Sequence, residues 1–340
     1  MSQTEVRIQK SNNAIDLCKL IMAVFVIAIH THPLENCKNQ SVLAFYDMIV
    51  SMAVPFFFLS SGYFLGSKVR LVSEANEKTA HAFKYFCKIA RMYVVWTIIY
   101  LPLAVYSALK NDKSVLHDIA LYIRNFFFIG EQYNSWHLWY LLSTVYALIL
   151  VMAMLRLKWS ERRWTVVIGM MCMLSIALDT LAQYSGDLPA ALAVVDKLVS
   201  LSIQNGRILQ GAIYIPIGML MAGRKQRIKS LLLIFVLCFG ADCFTGNLPI
   251  SGLLRILSSI AFFGIVLSID LKEHAVYPEM RRLSTLLYLT HMYVWTFYYV
   301  LVYGQKTYGL DAFVVTTLVC LVLGLAYDRF ARRRLLGQRR

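Results

Sequence analysis

Long apolar runs constrain this chain of 340 residues more than any other feature. Runs of about 16–24 apolar residues recur along it, the length that a helix needs to cross a hydrocarbon core about 30 Å thick. Hydrophobic residues make up 59% of the chain and charged residues 16%. A soluble domain averages nearer 45–50% and about 25%. The sequence therefore predicts an all-α, polytopic transmembrane helical bundle and argues against a soluble protein.

About ten spans are predicted, and we expect all of them to form a single integral membrane domain over residues 1–340. The Ser-Asn-Asn run at 11–13 is suited to cap the first helix, and Pro33 lies just beyond its end. The weaker apolar stretch 116–129 is interpreted as an interfacial or re-entrant segment. The predicted spans are 14–31, 42–65, 85–108, 135–157, 162–181, 207–222, 230–245, 252–270, 284–303 and 311–330.

The distribution of lysine and arginine predicts the orientation. With the N-terminus inside, 26 of the 34 basic residues fall in inner segments and seven in outer segments, while Arg255 lies within a span. The positive-inside rule requires such an excess on the cytoplasmic side. The net charge of +15 is thus explained by topology, and nucleic-acid binding loses its support. We expect both termini to be cytoplasmic and the spans to contact membrane lipid.

The seven cysteines do not form a metal-binding or disulfide pattern. Their number is odd, most lie inside apolar runs, and no C-x-x-C spacing occurs. We therefore expect small apolar packing side chains, with neither a disulfide framework nor a metal site.

Three ionisable residues in the first span are the strongest functional candidates. Placing ionisable side chains such as Asp16, Lys19 and His30 within the membrane costs free energy, and such residues usually mark a functional path. At 100° per residue, Lys19 and His30 lie within about 20° of one helix face, with Asp16 one turn below Lys19. The rise of about 16 Å carries His30 beyond mid-membrane if Lys19 is at the inner boundary. The alternative is a snorkelling lysine and a terminal histidine that faces water.

Basic residues at the start of the third span form a second candidate. Lys84 is interpreted as ordinary interfacial charge, whereas Lys88 and Arg91 are followed at once by apolar residues and could enter the bundle. Together with Lys19 they would form a cationic mouth on the cytoplasmic side, suited to phosphates. An ordinary positive-inside cluster is the alternative.

The second span contains a proline and a group of small residues. Pro55 is predicted to kink the helix, while Ser60, Ser61 and Gly62 allow neighbouring helices to approach closely. Packing alone could explain all of these residues.

Aromatic and ionisable residues later in the chain complete the candidates. Trp136 and Trp139 flank His137 at the outer start of the fourth span, where an interfacial aromatic belt is the alternative. His291 and Arg255 are further ionisable residues within predicted spans.

Taken in order, these segments resemble the acyltransferase-3 superfamily of bacterial membrane proteins, over nearly the whole chain. Lys19 and Lys88 stand where that family commonly has arginine. Lysine keeps the charge but loses the bidentate fork for phosphate. The matching motifs are Asp16-x-x-Lys19 with His30, the segment 54–63, Lys88-x-x-Arg91, the box Trp136-His137-Leu138-Trp139-Tyr140, and Tyr288-Leu289-x-His291.

The resemblance implies an enzyme of the bacterial cytoplasmic membrane. Members of the superfamily move acyl groups, mostly acetyl, from cytoplasmic acyl-CoA to hydroxyls of surface polysaccharides and similar external acceptors. Acyl-CoA would then be the co-substrate, and a saccharide or other cell-envelope molecule the acceptor. His30 would act as general base or carry the acyl group itself, with Asp16 and His137 as further catalytic residues.

The same resemblance implies two sets of ligand-binding residues. The residues expected to bind acyl-CoA are Lys19, Lys88, Arg91, Ser61 and Tyr63. The residues expected to bind the acceptor are Trp136, Trp139, Asn205, Arg255 and His291.

A second resemblance within the superfamily gives an alternative function. The segment 28–31, the phenylalanines 56–58 and the segment 204–206 are similar to the membrane halves of vancomycin-resistance serine racemases, which are associated with serine transport. The 340 residues contain no counterpart of the racemase half. A transporter of serine or another small polar metabolite is therefore the alternative, with a structural or regulatory membrane protein as a third. The sequence leaves the oligomeric state open.

Overall fold

The structure is a computed structural model that describes residues 12–110, 114–183, 189–202, 207–245, 249–304 and 308–337. Regular secondary structure within these residues is entirely helical. Eight helical stretches are long and apolar enough to cross a membrane, against about ten predicted spans, and the spans predicted at 207–222 and 284–303 are not among them. The predicted all-α polytopic bundle is thereby confirmed.

Thirteen α-helices follow one another in the described residues. They are α1 (Asn13–Thr31), α2 (Gln40–Ser51), α3 (Ala53–Val69), α4 (Ala75–Lys110), α5 (Val115–Arg124), α6 (Trp139–Arg156), α7 (Glu161–Gln183), α8 (Ala190–Ser202), α9 (Gln210–Met221), α10 (Ile228–Thr245), α11 (Pro249–Leu267), α12 (Val276–Tyr298) and α13 (Leu310–Gly337). Short turns supplement them: π turns at Asn125–Ile129 and Tyr299–Tyr303, and 3₁₀ turns at Trp136–Leu138 and Arg207–Leu209.

Helix α1 begins and ends where the sequence predicts. The Asn12 side chain accepts a hydrogen bond of 3.0 Å from the backbone N–H of Ile15, which caps the first turn. At the other end His32 adopts a left-handed conformation with φ of 45°, which stops the helix before Pro33. The helix is unbroken between these caps, so the side chains of residues 16, 19 and 30 share one face as predicted.

The second predicted span is divided at Met52, between α2 and α3. Pro55 causes the division, because a proline has no N–H for the carbonyl of Ser51 and its ring clashes with that carbonyl. The predicted kink is confirmed, and it lies one turn ahead of the proline.

Two segments differ from the predicted spans. The span predicted at 207–222 is the 12-residue helix α9, which at about 18 Å is too short to cross the core alone. Helix α8 occupies part of a predicted outer loop. By contrast, the stretch 116–129 is a ten-residue helix and a π turn, and α5 has no buried residue, as an interfacial segment should.

Helices α3 and α9 touch backbone to backbone in the middle of the bundle. A Cβ atom on Gly62 would lie 2.1 Å from the carbonyl oxygen of Ile215, and one on Gly218 would lie 2.2 Å from that of Leu59. No larger side chain fits at either position. The close approach predicted at Gly62 is confirmed, and α3 and α9 form the most extensive contact between two helices of the described residues.

Ion pairs join helix ends that are predicted to lie on the same side of the membrane. Glu161 at the start of α7 binds Arg70, just beyond α3, at 3.6 Å, and also Arg224, just beyond α9. Arg282 near the start of α12 pairs with Asp328 near the end of α13. Arg70, Glu161, Arg224 and Arg282 belong to segments that the charge distribution assigns to the cytoplasmic side. Asp328 lies at the inner end of the last predicted span.

Candidate active site

Three histidines from three parts of the chain meet in the bundle. His30 comes from α1, His137 from the 3₁₀ turn ahead of α6, and His291 from α12. The ring centroids of His30 and His291 are 5.2 Å apart with the rings stacked, and those of His137 and His291 are 4.9 Å apart. We call these three residues the histidine cluster. No group of three or more His, Cys, Asp or Glu side chains among the described residues is arranged to hold a metal ion.

His291 is held in a single orientation. Its side chain is fully buried, and Nδ1 lies 2.8 Å from the carbonyl oxygen of Tyr288 and 3.1 Å from that of Leu287. Because carbonyl oxygens only accept hydrogen bonds, Nδ1 carries the proton and the neutral ring keeps its lone pair on Nε2. Nε2 is buried and has no hydrogen-bond partner among the described residues. His291 thus presents a fixed proton-accepting nitrogen beside the His30 ring.

His137 is positioned by tyrosines. It is buried, and its ring lies edge-on to Tyr100 at 5.1 Å and to Tyr288 at 5.3 Å between centroids. The Tyr288 hydroxyl donates to the backbone carbonyl of His137, and the Tyr100 hydroxyl donates to that of Leu289 at 2.9 Å. The first bond ties the turn before α6 to α12, which brings His137 close to His291, and the second ties α4 to α12.

The two tryptophans of the predicted acceptor site occupy different places. The Trp136 ring lies 6.3 Å from His30 and 6.2 Å from Trp295, at the edge of the histidine cluster. Trp139 is buried and packs against Phe58, with centroids 6.1 Å apart. Only Trp136 is therefore placed to touch a molecule that reaches His30.

We call the face of α1 that carries Asp16, Lys19 and His30 the α1 stripe. The end of this stripe opposite His30 carries charged residues. Asp16 is fully buried, and its Oδ2 lies 3.4 Å from Nε of Arg281 on α12. Lys19 interacts electrostatically with both Asp16 and Arg281, and its Nζ lies 5.0 Å from the centre of the Phe64 ring on α3. The arrangement holds two cations around one carboxylate, which leaves a net positive charge.

The basic residues of α4 differ in their relation to Lys19. Lys88 and Arg91 are both exposed, and Lys88 lies within electrostatic range of Lys19. The structure therefore joins Lys19 and Lys88 in one cationic region with Arg281, and leaves Arg91 on the exposed surface of α4.

Both ends of the α1 stripe face α12. Asp16 contacts Arg281, and His30 contacts His291. Because residue numbers rise together in the two contacts, α1 and α12 run in the same direction. The cationic region and the histidine cluster therefore stand at two levels of one helix pair, about 16 Å apart by helical rise.

Hydroxyl groups lead from α3 towards the histidine cluster. The Ser61 hydroxyl lies 3.3 Å from that of Tyr140, and the Tyr140 ring lies 5.5 Å from the Tyr288 ring. Tyr63, two residues along α3, packs instead against Phe263 of α11 at 6.1 Å. Of the two predicted donor-binding residues on α3, Ser61 lies on the approach to the cluster and Tyr63 does not.

Two predicted acceptor-binding residues stand apart from the cluster. Arg255 forms an ion pair of 3.0 Å with Asp242 on α10, and Asp242 also accepts from the Ser251 hydroxyl. No hydrogen bond or ion pair of the described residues joins Arg255 to the histidines. Asn205 lies outside the described residues.

Sequence reasoning assigned no site role to Arg281 or to Tyr288, although Tyr288 belongs to the motif that contains His291. Arg281 was counted only as one charge at the inner boundary, and nothing in the sequence shows that it meets Asp16. Tyr288 precedes His291 by three residues, the spacing that puts both on one helix face, and this spacing could have identified it.

Comparison with known proteins decides the family. A family model described as an acyltransferase domain matches residues 12–335. The chain belongs to the acyltransferase-3 family. This acyltransferase-3 assignment confirms the first resemblance and supports a membrane acyltransferase enzyme. No solved structure matches the chain.

Curated relatives of this acyltransferase-3 chain match over less of its length. An amino-acid racemase from Enterococcus faecalis is 36% identical over 149 residues, which are 42% of this chain and 20% of that protein. A serine/alanine racemase from Enterococcus gallinarum is 30% identical over 145 residues, with the same shares covered. The match thus spans about a fifth of the length of these relatives, and it confirms the second resemblance.

Proposed function

We propose that this chain is a membrane-bound O-acyltransferase that moves an acyl group, in the first instance acetyl, from cytoplasmic acyl-CoA to a hydroxyl of a cell-surface saccharide or similar cell-envelope acceptor. The observation that carries the proposal is the pair of sites along α1 and α12. A cationic region suited to phosphates and the histidine cluster, in which His137 and His291 are buried and His30 is half-buried, lie at two levels of the same helix. The family match supports acyl transfer as the reaction that links them.

The cationic region is the proposed site for the phosphates of acyl-CoA. Lys19, Lys88 and Arg281 supply three positive charges, and Asp16 forms an ion pair with Arg281 and attracts Lys19. A charged hydrogen bond to phosphate stabilises more than a neutral one, and the guanidinium of Arg281 offers the fork that a lysine lacks. From this region the extended pantetheine arm would carry the thioester to His30.

The histidine cluster is the proposed site of chemistry. His30 removes the proton from the acceptor hydroxyl as the hydroxyl oxygen attacks the thioester carbonyl carbon. The carbon–sulfur bond then breaks, the ester forms, and the leaving CoA thiolate takes the proton from His30. His291 acts as a positioning residue, because its tethered ring fixes the stacked His30 ring. An acyl group carried on His30 itself is the other possible route.

Radiolabelled acetyl-CoA tests this function directly. Purified protein in lipid nanodiscs should bind the thioester and consume it slowly, with water replacing the acceptor. His30→Ala should bind it equally and consume none. Radiolabel retained covalently by the wild type alone would favour the acyl-histidine route. Failure of the wild type to bind or consume any acyl-CoA would refute the proposal.

Transport of serine or another small polar metabolite is the second candidate. It is favoured by the 30% identity to the serine/alanine racemase over 42% of this chain. Liposomes that contain the protein would be given radiolabelled L-serine. Uptake by the wild type without any consumption of acetyl-CoA would refute the transferase function and support transport.

A further inference from the structure

A cavity of about 510 Å³ lies at the end of the bundle that the charge distribution predicts to be cytoplasmic. Its wall is formed by the last turns of α3, α6 and α9 and by the first turns of α4 and α7. We call it the inner cavity. Sites for small organic molecules commonly have volumes of about 300–1,000 Å³, so the inner cavity is large enough to hold one.

Positive charge is in excess around the inner cavity. Glu161 binds Arg70 at 3.6 Å and also binds Arg224, just beyond α9. Lys78 and Lys158 take part in no ion pair of the described residues. With Arg224 included, four described cations face two carboxylates, so a doubly charged anion would balance the site. The charged side chains of the wall are Arg70, Glu74, Lys78, Lys158 and Glu161.

Lys158 stands where a glycine would be expected. The Lys158 N–H donates to the carbonyl of Leu155, and the Trp159 N–H donates to that of Met154, both at 3.1 Å. This way of ending a helix requires a left-handed residue, and Lys158 has a φ of 51°. A lysine in this conformation costs free energy that a glycine does not. Because such strain is retained mainly at functional sites, Lys158 is a candidate for a ligand-binding group.

The uncharged part of the wall suits an apolar or aromatic group. Trp164 is buried and Trp159 half-buried, and both line the inner cavity together with Met154. An indole ring offers a flat apolar face against which another ring or a hydrocarbon segment can pack. The lining therefore matches a ligand that combines an anion with an apolar part better than it matches a bare inorganic anion.

The inner cavity is separate from the cationic region at Lys19. Lys19 lies over the Phe64 ring of α3, whereas the inner cavity is lined by Gly66 of the same helix. Two residues are about 200° apart around a helix, so these positions lie on nearly opposite faces of α3. Gly66 faces α9, since a Cβ atom there would lie 2.7 Å from Cα of Met219. A ligand in the inner cavity therefore leaves the Lys19 face of α3 free.

We propose that the inner cavity is a second anion site, which binds an organic phosphate. The phosphate group contacts Lys78 and Lys158, and the apolar part of the ligand packs against Trp159. Since Lys78 belongs to α4 and Lys158 to the turn after α6, the bound phosphate joins the ends of these helices. The proposal does not depend on the transferase function. A phosphate ester is offered both by soluble metabolites and by phospholipid head groups, and the experiment distinguishes these two sources.

Binding of radiolabelled phenyl phosphate tests the proposal. The probe is applied to the full chain in nanodiscs of phosphatidylcholine and should bind saturably. Unlabelled phenyl phosphate should displace it, and phenol, which has no charge, should not. Inorganic phosphate, which has no apolar part, should compete at least about tenfold less well than phenyl phosphate.

Lys158→Gly is the variant that separates ligand binding from folding. It should weaken binding of the probe by about tenfold, the loss of a charged hydrogen bond. The thermal unfolding temperature should not fall, because glycine adopts the left-handed conformation freely. Lys272→Gly is the matched control, since Lys272 is exposed in the loop between α11 and α12 and does not line the inner cavity. It should bind the probe as the wild type does, and so should Lys19→Met.

Nanodiscs that also contain phosphatidylglycerol identify the source of the phosphate. If the natural ligand is a phospholipid, this lipid should lower binding of the probe and raise the unfolding temperature of the wild type, but not that of Lys158→Gly. If the natural ligand is soluble, binding of the probe should be the same in both kinds of nanodisc. Either result supports a phosphate site.

Four results would overturn the proposal. They are the absence of saturable binding, displacement by phenol, equal binding by the wild type and Lys158→Gly, and equal losses in Lys19→Met and Lys158→Gly. The last result would place the probe in the cationic region. If Lys158→Gly fails to fold, Lys78→Gln replaces it, and undiminished binding by that variant refutes the site.

Consumption of acetyl-CoA plays no part in these measurements, so failure of the transferase function leaves their outcome unchanged.

Discussion

The two ends of the α1 stripe are surrounded by different kinds of side chain. Around His30 the contacts are aromatic rings from α12 and from the turn before α6, and His137 and His291 are buried. Around Lys19 lie the charges of Asp16, Lys88 and Arg281 and the ring of Phe64. The same helix therefore offers a nearly dry site at one level. At the other level it offers a cationic site in which Asp16 is fully buried while Lys88 and Arg281 reach solvent. We call these the dry end and the wet end.

The contrast indicates a division of labour. A base that must remove a proton works best where water is excluded and its orientation is fixed, because both strengthen the interaction with a developing charge. A site for a large, charged and exchangeable donor needs access from water instead. Each prediction below tests one end of the stripe against the other.

The largest expected effect is all-or-none and concerns which end faces the cytoplasm. A reporter fused after Arg340 should be active only as a cytoplasmic reporter, and one inserted at residues 34–39 only as an external reporter. The basis is the excess of basic residues in inner segments. The opposite pattern would show that the chain has the reverse orientation in the membrane, so that cytoplasmic acyl-CoA could not reach the Lys19 end.

The next effect should appear at the dry end. His30→Ala should lower acyl transfer by about 10²–10⁴-fold, the usual loss of a general base, while acyl-CoA binding is unchanged. His32→Ala is the matched control, since His32 is exposed beyond the end of α1. Near-normal transfer by the His30 variant would indicate that His137, and not His30, is the catalytic residue.

A smaller effect should distinguish the two nitrogens of His291. His291→Asn keeps a donor near the Nδ1 position and loses Nε2, whereas His291→Gln places a polar atom near Nε2. If Nε2, which has no partner among the described residues, accepts a hydrogen bond in the bound complex, the asparagine variant should lose about 10²-fold in kcat with little change in KM, and the glutamine variant less. Equal losses in both variants would indicate that His291 serves only to fill space.

The smallest effects should appear at the wet end, and they should be graded. Lys19→Met should weaken acyl-CoA binding by about 1.5–3 kcal/mol, the scale of a charged hydrogen bond. Lys88→Met and Arg91→Ala, at exposed positions, should cost no more than about 1 kcal/mol each. Calorimetric titration measures each loss, with exposed Lys84→Met as the control. If Arg91→Ala costs more than Lys19→Met, the donor binds along α4 instead of α1.

Much of the helical architecture was predictable because it depends on short stretches of sequence. The cap at Asn12, the break caused by Pro55 and the approach at Gly62 each follow from one or two residue types. Helix α9 was not predictable to the same degree. Its apolar composition is typical of a membrane span, but the structure shows a helix of only 12 residues that packs against α3.

The candidate site was predictable residue by residue, but its assembly was not. Helical periodicity places Lys19 and His30 on one face and gives no information about the helix opposite. Which rings meet His30 depends on the packing of α12 and on the hydrogen bond from Tyr288 to the turn at His137. For the same reason the sequence counts Arg281 only among the basic residues of inner segments, and it predicts Arg255 as a ligand-binding residue although the structure pairs Arg255 with Asp242.

The unbroken course of α1 has a consequence for the choice of donor. A regular helix is a stiff spacer, so the separation of its two sites is a constant of the fold and cannot adjust to the molecule that bridges them. If the proposed function holds, the protein selects donors by their length. A short thioester such as acetyl-N-acetylcysteamine can reach one level only, so it forfeits the binding energy of the phosphates when its carbonyl is at His30. The loss should appear in turnover as well as in affinity, since remote binding energy is used to hold the reacting end in place.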